Sequence, residues 1–203
     1  MGLGWLISGS SFGGSSPVWE SVDVNTIALI GSGEEGSEEL WEKVGKYVAQ
    51  TFVRYGWHLI FCGTSQGIEG KIADHVSQKG GSVTAVVIKG KQPPEMVQNV
   101  EKIQVNSYRN RKKKMYELVD AFLILPGGLG TLDDLTDIVA NQRIDKNKKP
   151  VVVLDPDHWF DPISDFYQKG IDEEFIDVYD IRKLFVAVHE CKRLKHHITR
   201  YWL

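Results

Sequence analysis

The fold of this chain is decided by the stretch AFLILPGGLGT at positions 121–131. Ala121–Leu125 is a short, wholly apolar run of the kind that forms a buried strand. Pro126–Thr131 places three glycines directly after that strand, and a helical pattern begins at Thr131. A glycine-rich turn between a strand and a helix presents backbone N–H groups at the positive end of the helix dipole, which suits a phosphate. A tight turn without a ligand is the alternative interpretation of the same residues.

Apolar runs alternate with amphipathic helical patterns along the rest of the chain. The runs predict strands over 26–30, 57–62, 83–88, 121–125 and 150–154, with a minor strand at 102–105 and an edge strand at 184–188. Helical spacing predicts helices over 37–53, 68–78, 108–119, 131–144 and 159–169, and a terminal helix after residue 188. This alternation indicates βαβ units. We therefore predict an α/β fold with a doubly wound, mostly parallel sheet flanked by helices, Rossmann-like, in a single domain.

Glycine-rich turns follow three of the predicted strands: Gly31–Gly33, Gly63–Gly67 and Gly127–Gly130. Ligands of doubly wound sheets bind beyond the carboxyl ends of the strands, where the strand order reverses. If the order is 3-2-1-4-5, the first and third turns face each other across one crevice. The sequence thus predicts a phosphate or nucleotide site that contains Gly31, Ser32, Gly33, Gly127, Gly128, Gly130 and Thr131.

Composition limits the classes of partner. The net charge of the 203-residue chain is -3, which argues against a dedicated nucleic-acid-binding protein. No apolar run approaches the roughly 18 residues that a membrane span needs, so we expect no membrane partner. The chain has two cysteines, too few for a disulfide scaffold, which favours a reducing compartment such as the cytoplasm.

The amino-terminal residues differ in composition from the remainder. Residues 1–24 are rich in glycine and serine, and they lack the basic start and the long apolar core of a secretory signal. We predict a flexible leader over 1–24 and one nucleotide-binding domain over 25–203.

The central block resembles the Lonely Guy family. The segment Arg111-Lys112-Lys113-Lys114-Met115 is similar to the family's Arg-Lys-x-x-Met motif. Residues 126–134 are similar to its Pro-Gly-Gly-x-Gly-Thr-x-x-Glu motif, and the spacing between the two blocks matches. The resemblance extends over residues 26–176 and is most specific in this central block.

The resemblance implies a Rossmann-like parallel sheet and a homodimer. It also implies hydrolysis of the N-glycosidic bond of a nucleoside 5'-monophosphate, often an N6-modified adenine nucleotide, to the free base and ribose 5-phosphate. No metal and no organic cofactor is needed for this activity in the family.

The resemblance also implies roles for individual residues. Arg111 matches the family's catalytic arginine, and Lys112 joins the predicted nucleotide-binding residues. The turn Gly127–Thr131 matches the phosphate-binding turn. Asp134 stands where the family has a catalytic glutamate, and its arm is one methylene shorter. Catalytic positioning tolerates little error, since a displacement of about 1 Å can cost about a hundredfold in rate.

A second departure follows the second strand, where Cys62-Gly63-Thr64 replaces the family's run of three glycines. Together with Asp134, it leaves open a non-catalytic alternative of the same fold. That alternative is a protein that binds or carries a nucleotide or the molybdenum cofactor.

Some residues allow a purely structural interpretation. Asp133 and Asp134 are acidic residues of the kind that favours a helix N-terminus. Residues 109–114 form a basic cluster that is also typical of a solvated helix face. The cluster Asp155, Asp157, His158 and Asp161 has the residue types of a metal site, but we favour a turn that caps the next helix and predict no metal.

Overall fold

In the computed structural model, which describes residues 19–91, 95–144, 148–177 and 185–202, seven parallel strands form the central sheet. These strands are β2 (Thr26–Ile30), β3 (His58–Phe61), β4 (Val83–Ile88), β5 (Glu101–Val105), β6 (Ala121–Ile124), β7 (Val151–Leu154) and β8 (Val186–Val188). Their order is β5-β4-β3-β2-β6-β7-β8, and every neighbouring pair is parallel. The predicted α/β class and the order 3-2-1-4-5 of the main strands are confirmed. The order reverses between β2 and β6.

Helices connect the strands. Helix α1 runs through Glu38–Leu40, a π-helical segment Trp41–Gly45 and Lys46–Tyr55. The others are α2 (Gly67–Gln78), α3 (Tyr108–Leu118), α4 (Leu129–Ile144), α5 (Asp161–Asp172) and the short α6 (Leu194–Ile198), which follows a 3-10 turn at Cys191–Arg193. Within these described ranges no helix is long and apolar enough to cross a membrane.

Both faces of the sheet are covered, because alternate strand residues point to opposite sides. In β2, Ile27 and Leu29 pack in the cluster that includes residues of α1, α2 and α6. Ala28 and Ile30 pack in the opposite cluster, which includes residues of α3, α4 and α5. All four side chains are at most 6% exposed, so β2 forms the centre of the core.

Helix α4 begins earlier than the sequence predicted. The N–H of Leu132 donates to the Gly128 carbonyl oxygen at 3.0 Å, so the helix starts at Leu129 and not at Thr131. Asp133 and Asp134 therefore lie beyond the first turn, where the helix dipole alone gives an acidic residue less support. Helix α5, by contrast, begins at Asp161, two residues after the predicted start.

The predicted leader contains a short strand. Trp19–Ser21 forms β1, which pairs antiparallel with β9 (Arg200–Trp202). The prediction of a flexible segment over 1–24 is therefore wrong at Trp19–Ser21, because backbone hydrogen bonds to the carboxyl-terminal end hold this part. Residues 1–18 of the predicted leader lie outside the described residues.

The turn after β2 packs directly against the start of α2. Gly67 has a φ of 66°, and a Cβ there would overlap the Ser32 carbonyl oxygen and come within 2.7 Å of the Glu34 carbonyl oxygen. Only glycine allows the two backbones to approach this closely. The turn Gly31–Gly33 thus packs against Gly67, the first residue of α2.

Glu69, in the first turn of α2, is a buried acidic residue. Its side chain is 4% exposed, and its Oε1 accepts a hydrogen bond of 2.9 Å from the Cys62 N–H at the end of β3. Its own N–H donates to the Ser32 carbonyl oxygen at 3.5 Å. Burial raises the pKa of Glu69 above its ordinary value, although the hydrogen bonds from Cys62 and the charge of Arg111 oppose this.

We predict that Gly67→Ala destabilises the protein by roughly 2–4 kcal/mol, from left-handed backbone strain together with overlap at Ser32 and Glu34. Gly56→Ala is the matched control, because Gly56 has the same φ of 66° but open space around a Cβ. Urea unfolding of both variants measures the difference. Equal losses would show that the close approach to Ser32 contributes nothing.

We predict that Glu69→Gln removes part of the pH dependence of stability. Because the pKa of Glu69 is raised in the folded state, the folded chain holds a proton that the unfolded chain has released as pH rises above the ordinary value of 4.5. The wild type should therefore lose stability as the pH rises above 4.5, and the stability of Glu69→Gln relative to the wild type should increase over the same range. Urea unfolding at several pH values measures this. The exposed control Glu39→Gln should follow the wild type, and a parallel curve for Glu69→Gln would contradict the prediction.

Candidate functional site

The first and third glycine turns meet at the reversal of strand order. A Cβ on Gly127 would lie 3.1 Å from the Ser32 backbone nitrogen and would overlap the Thr131 hydroxyl. The N–H of Leu125 also donates to the Ile30 carbonyl oxygen at 2.8 Å, which aligns the two strand ends. The first and third glycine turns therefore lie against each other at the reversal of strand order.

The turn after β6 has unused hydrogen-bonding capacity. Thr131 is 3% exposed, and its hydroxyl has no hydrogen-bond partner among the described residues. Gly128 and Gly130 are exposed, and a Cβ on either would meet no atom within 4 Å. An unpaired buried hydroxyl is costly, so its position beside an open turn indicates a ligand that can accept a hydrogen bond. An anion at the start of α4 satisfies this requirement.

Two neighbouring acidic residues of α4 face the amino-terminal half of α3. The Lys112 ammonium lies 2.8 Å from Oδ2 of Asp133 and 3.5 Å from Oδ1 of Asp134. The Tyr108 hydroxyl lies 2.8 Å from the same Asp133 oxygen and 3.3 Å from the same Asp134 oxygen. The ion pair of Lys112 with the predicted catalytic carboxylate is a contact that the sequence did not specify.

The two carboxylates differ in their protonation. The hydrogen bonds from Lys112 and then Tyr108 hold the pKa of exposed Asp133 below its ordinary value. Burial raises the pKa of Asp134, although the charges of Lys112 and Arg111 oppose the shift. For Lys112, burial acts to lower the pKa, but the hydrogen bond to Asp133 and the charge of Asp134 raise it overall. Opposite shifts of adjacent carboxyls are a property of many active sites.

Arg111 lies beside Tyr108, Lys112 and the two aspartates but forms no ion pair with either carboxylate. Its guanidinium carbon is 4.7 Å from the centre of the Tyr108 ring, a cation–π contact. No carboxylate in the described parts of the chain lies within 4.0 Å of its nitrogens. Lys112, and not Arg111, holds Asp133 and Asp134. Arg111 is therefore positioned by an aromatic ring, and its hydrogen-bond donors remain free for a ligand.

Glu69 was missed at the sequence level. Its charge and that of Asp134 influence each other, and Arg111 lowers the pKa of both groups, so the three groups share one region at the carboxyl edge of the sheet. Burial also raises the pKa of the neighbouring Cys62 thiol, which makes it a poor nucleophile. The available signal was a lone acid directly after a glycine turn, where helix-dipole stabilisation is the ordinary explanation.

The loop after β7 contacts the glycine turn that follows β6. The Trp159 indole N–H donates to the Gly127 carbonyl oxygen at 3.1 Å, although the side chain is 58% exposed. Asp155 accepts from the Phe160 N–H at 3.3 Å, as a capping residue does. His158 contacts Asp161 and stacks on His189. Across the described ranges, no three His, Cys, Asp or Glu side chains are grouped so that they could hold a metal ion.

The arrangement brings two chemical capacities together at the carboxyl edge of the sheet. Backbone N–H groups and the Thr131 hydroxyl suit an anion. The Asp134 carboxylate lies one turn further along the same helix, and the Arg111 guanidinium lies on the neighbouring helix α3. A carboxylate in a partly buried setting can stabilise a developing positive charge.

Solved structures with the same fold are found among molybdenum cofactor proteins. The molybdenum cofactor binding protein from Rippkaea orientalis superposes with a TM-score of 0.63 at 17% identity, covering 87% of this chain and 96% of that one. The Moco carrier protein from Chlamydomonas reinhardtii gives a TM-score of 0.60 at 18% identity, covering 85% and 93%. At these identities the similarity supports the fold alone.

Sequence relatives point to one family. The probable cytokinin riboside 5'-monophosphate phosphoribohydrolase LOGL1 of Oryza sativa subsp. japonica is 30% identical over 179 residues, 86% of this chain and 80% of that protein. The cytokinin riboside 5'-monophosphate phosphoribohydrolase LOG5 of Arabidopsis thaliana is 27% identical, covering 86% and 77%. Residues 70–198 match the family model described as "Possible lysine decarboxylase". With this match over more than half of its length, the chain belongs to the Lonely Guy family.

Proposed function

We propose that this protein is a nucleoside 5'-monophosphate phosphoribohydrolase that converts AMP or an N6-modified AMP to the free base and ribose 5-phosphate. The observation that carries the proposal is that the glycine turn with the unpaired Thr131 hydroxyl lies on the same helix as Asp134, with Arg111 close to that carboxylate. The names of the sequence relatives support the same reaction class.

The phosphate of the nucleotide binds at the turn after β6 and at Gly31–Gly33. The start of α4 supplies backbone N–H groups and the positive end of a 16-residue helix. The Thr131 hydroxyl, which has no partner in the described structure, donates to a phosphate oxygen. The ribose then lies towards Asp134, one turn further along α4.

Asp134 and Arg111 act on the glycosidic bond. As the bond between C1' of the ribose and the base nitrogen breaks, its electron pair leaves with the base and C1' becomes cationic. The Asp134 carboxylate stabilises this charge, and water supplies a hydroxyl to C1' and a proton to the base. Arg111 supplies hydrogen-bond donors to the departing base. Lys112, which is paired with both Asp133 and Asp134, orients the Asp134 carboxylate.

A carrier without chemistry is the second candidate. The observation that favours it is Asp134 itself, because the resemblance calls for the longer glutamate at this position. The names of the two solved proteins of the same fold suit such a role with the molybdenum cofactor. This candidate uses the same anion turn and predicts binding without turnover.

We predict that the purified protein releases free base and ribose 5-phosphate from AMP or N6-isopentenyl-AMP, but not from the corresponding nucleosides, which lack the anchoring phosphate. Arg111→Ala should lower kcat/KM by about a hundredfold or more, because a charge acting in the transition state is lost. Arg109→Ala, an exposed arginine of the same helix, is the matched control and should be neutral. Chromatography of the products measures turnover.

The same assay separates the two candidates. If calorimetry shows tight binding of a mononucleotide or a phosphorylated pterin while no nucleotide is cleaved, the protein is a carrier and the hydrolase proposal is wrong. Equal kcat/KM in Arg111→Ala and Arg109→Ala would remove Arg111 from the mechanism.

We further propose that the protein is a cytoplasmic homodimer. Both cysteines are free thiols, which suits a reducing compartment. Large exposed apolar side chains are concentrated on and just after α4 and α5, at Ile144 (84%), Phe166 (68%) and Phe175 (86%). Exposed apolar groups of this size favour a protein–protein contact.

We predict that light scattering gives twice the chain mass of 22.9 kDa for the wild type. The double variant Ile144→Asp/Phe166→Asp should halve the measured mass, because two charges would be buried without partners. Tyr47→Asp on the opposite layer is the control. A monomeric wild type would contradict the dimer.

A further inference from the structure

Tyr108 is placed at the start of α3 with its side chain directed at α4. Ser107 caps the helix, since its hydroxyl accepts from the Asn110 N–H at 3.2 Å. Tyr108 is therefore the first residue of a fixed helical turn. Its side chain keeps 41% exposure, so the ring lies at the edge of the crevice and not in the core.

One side chain contacts four charged groups. The hydroxyl of Tyr108 lies 2.8 Å from Asp133 and 3.3 Å from Asp134. The ring face carries the Arg111 guanidinium at 4.7 Å and the Lys112 ammonium at 5.1 Å. Tyr108 thus links both proposed catalytic groups, one through its hydroxyl and the other through its ring.

The hydroxyl has a single proton to share between two carboxylates. Ionised carboxylates only accept hydrogen bonds, so the hydroxyl is the donor in either contact. Asp133 also has Lys112 at 2.8 Å, whereas the Lys112–Asp134 distance is 3.5 Å. Both donors therefore lie closer to Asp133, but the Tyr108 hydroxyl, at 3.3 Å, is the nearer of the two to Asp134. Burial, then the hydrogen bond to Asp133, raises the pKa of Tyr108, which keeps the donor protonated at neutral pH.

We propose that Tyr108 is the positioning residue that fixes the Asp134 carboxylate and the Arg111 guanidinium relative to each other. This inference rests on the proposed hydrolase function and deepens it. An aspartate has a shorter arm than a glutamate and reaches less far from the helix. A hydroxyl donor from the facing helix holds this shorter carboxylate in one orientation, which is the preorganisation that charge stabilisation requires.

Tyr108→Phe tests the proposal, because it removes the hydroxyl and keeps the ring beneath Arg111. We expect kcat to fall about tenfold to a hundredfold with little change in KM for AMP. The acid limb of the kcat profile should move to higher pH, because the ionised Asp134 loses a donor and its pKa rises further. Tyr47→Phe, at a tyrosine of similar exposure on α1, is the matched control and should leave both unchanged.

The charged groups near Asp134 also influence its pKa and therefore the pH profile of kcat. Lys112 and Arg111 from α3 favour its ionised form, and Asp133 from α4 itself opposes ionisation. Glu69 from α2 also acts on it electrostatically. Asp133 loses the same donor in Tyr108→Phe, so the acid limb reports the loss of the hydroxyl from both carboxylates, and a direct titration of Asp134 is needed to assign its share.

A second experiment, in an Asp134→Glu protein, tests whether Tyr108 compensates for the short aspartate side chain. If Tyr108 compensates for the short arm, Tyr108→Phe should cost less kcat in an Asp134→Glu protein than in the wild type. An equal loss in both backgrounds would contradict the compensation. Unchanged kcat and pH profile in Tyr108→Phe alone would overturn the positioning role and leave Tyr108 as a packing residue.

A measurement without turnover separates this inference from the proposed function. In protein labelled with 13C at aspartate carboxyls, NMR follows the titration of Asp134 directly. A higher midpoint in Tyr108→Phe supports the contact even if no nucleotide is cleaved, in which case only the hydrolase proposal fails. An unchanged midpoint overturns the role of Tyr108 even if the wild type is an active hydrolase.

Discussion

The structure depends on the close approach of three backbone turns around Ser32. Gly67 touches the Ser32 carbonyl side, and Gly127 lies against the Ser32 nitrogen at a would-be Cβ distance of 3.1 Å. A Cβ at Gly67 would overlap the Ser32 carbonyl oxygen, and a Cβ at Gly127 would overlap the Thr131 hydroxyl and crowd Ser32, so glycines allow the three turns to meet. That point is where the strand order reverses, and a parallel sheet opens a crevice there. The position of the glycine turn after β6 therefore follows from the topology of the sheet.

The charges around this crevice are arranged unequally. Asp133 is exposed and firmly paired with Lys112 at 2.8 Å, whereas the partly buried Asp134 has the weaker contacts. The buried member has the raised pKa and the exposed member the lowered one. Two adjacent acids with similar sequence context thus differ in their ionisation, because one is exposed and closely paired with a lysine whereas the other is partly buried. Arg111, supported by a ring and without a carboxylate within reach in the described chain, completes the site.

Local patterns predicted most of the fold. Apolar runs give the strands, since a parallel strand covered on both sides needs apolar residues at nearly every position. The predicted start of α4 at Thr131 was wrong, because the Gly128 carbonyl accepts the first helical hydrogen bond and moves the start back to Leu129. The strand at Trp19–Ser21 had no visible pattern, because its partner Arg200–Trp202 lies at the other end of the chain. Such a pairing depends on long-range geometry that no local window contains.

The sequence by itself determined the strand–turn–helix units, the glycine turns and the family to which the central block belongs. These depend on residue type and on spacing along the chain, and both can be read directly. Only the tertiary structure decided which side chains meet: that Lys112 pairs with Asp133 and Asp134, that Tyr108 lies between Asp134 and Arg111, and that Glu69 is buried beneath the first turn. These contacts join helices separated by a strand or more, and their distances and burial arise when the chain packs.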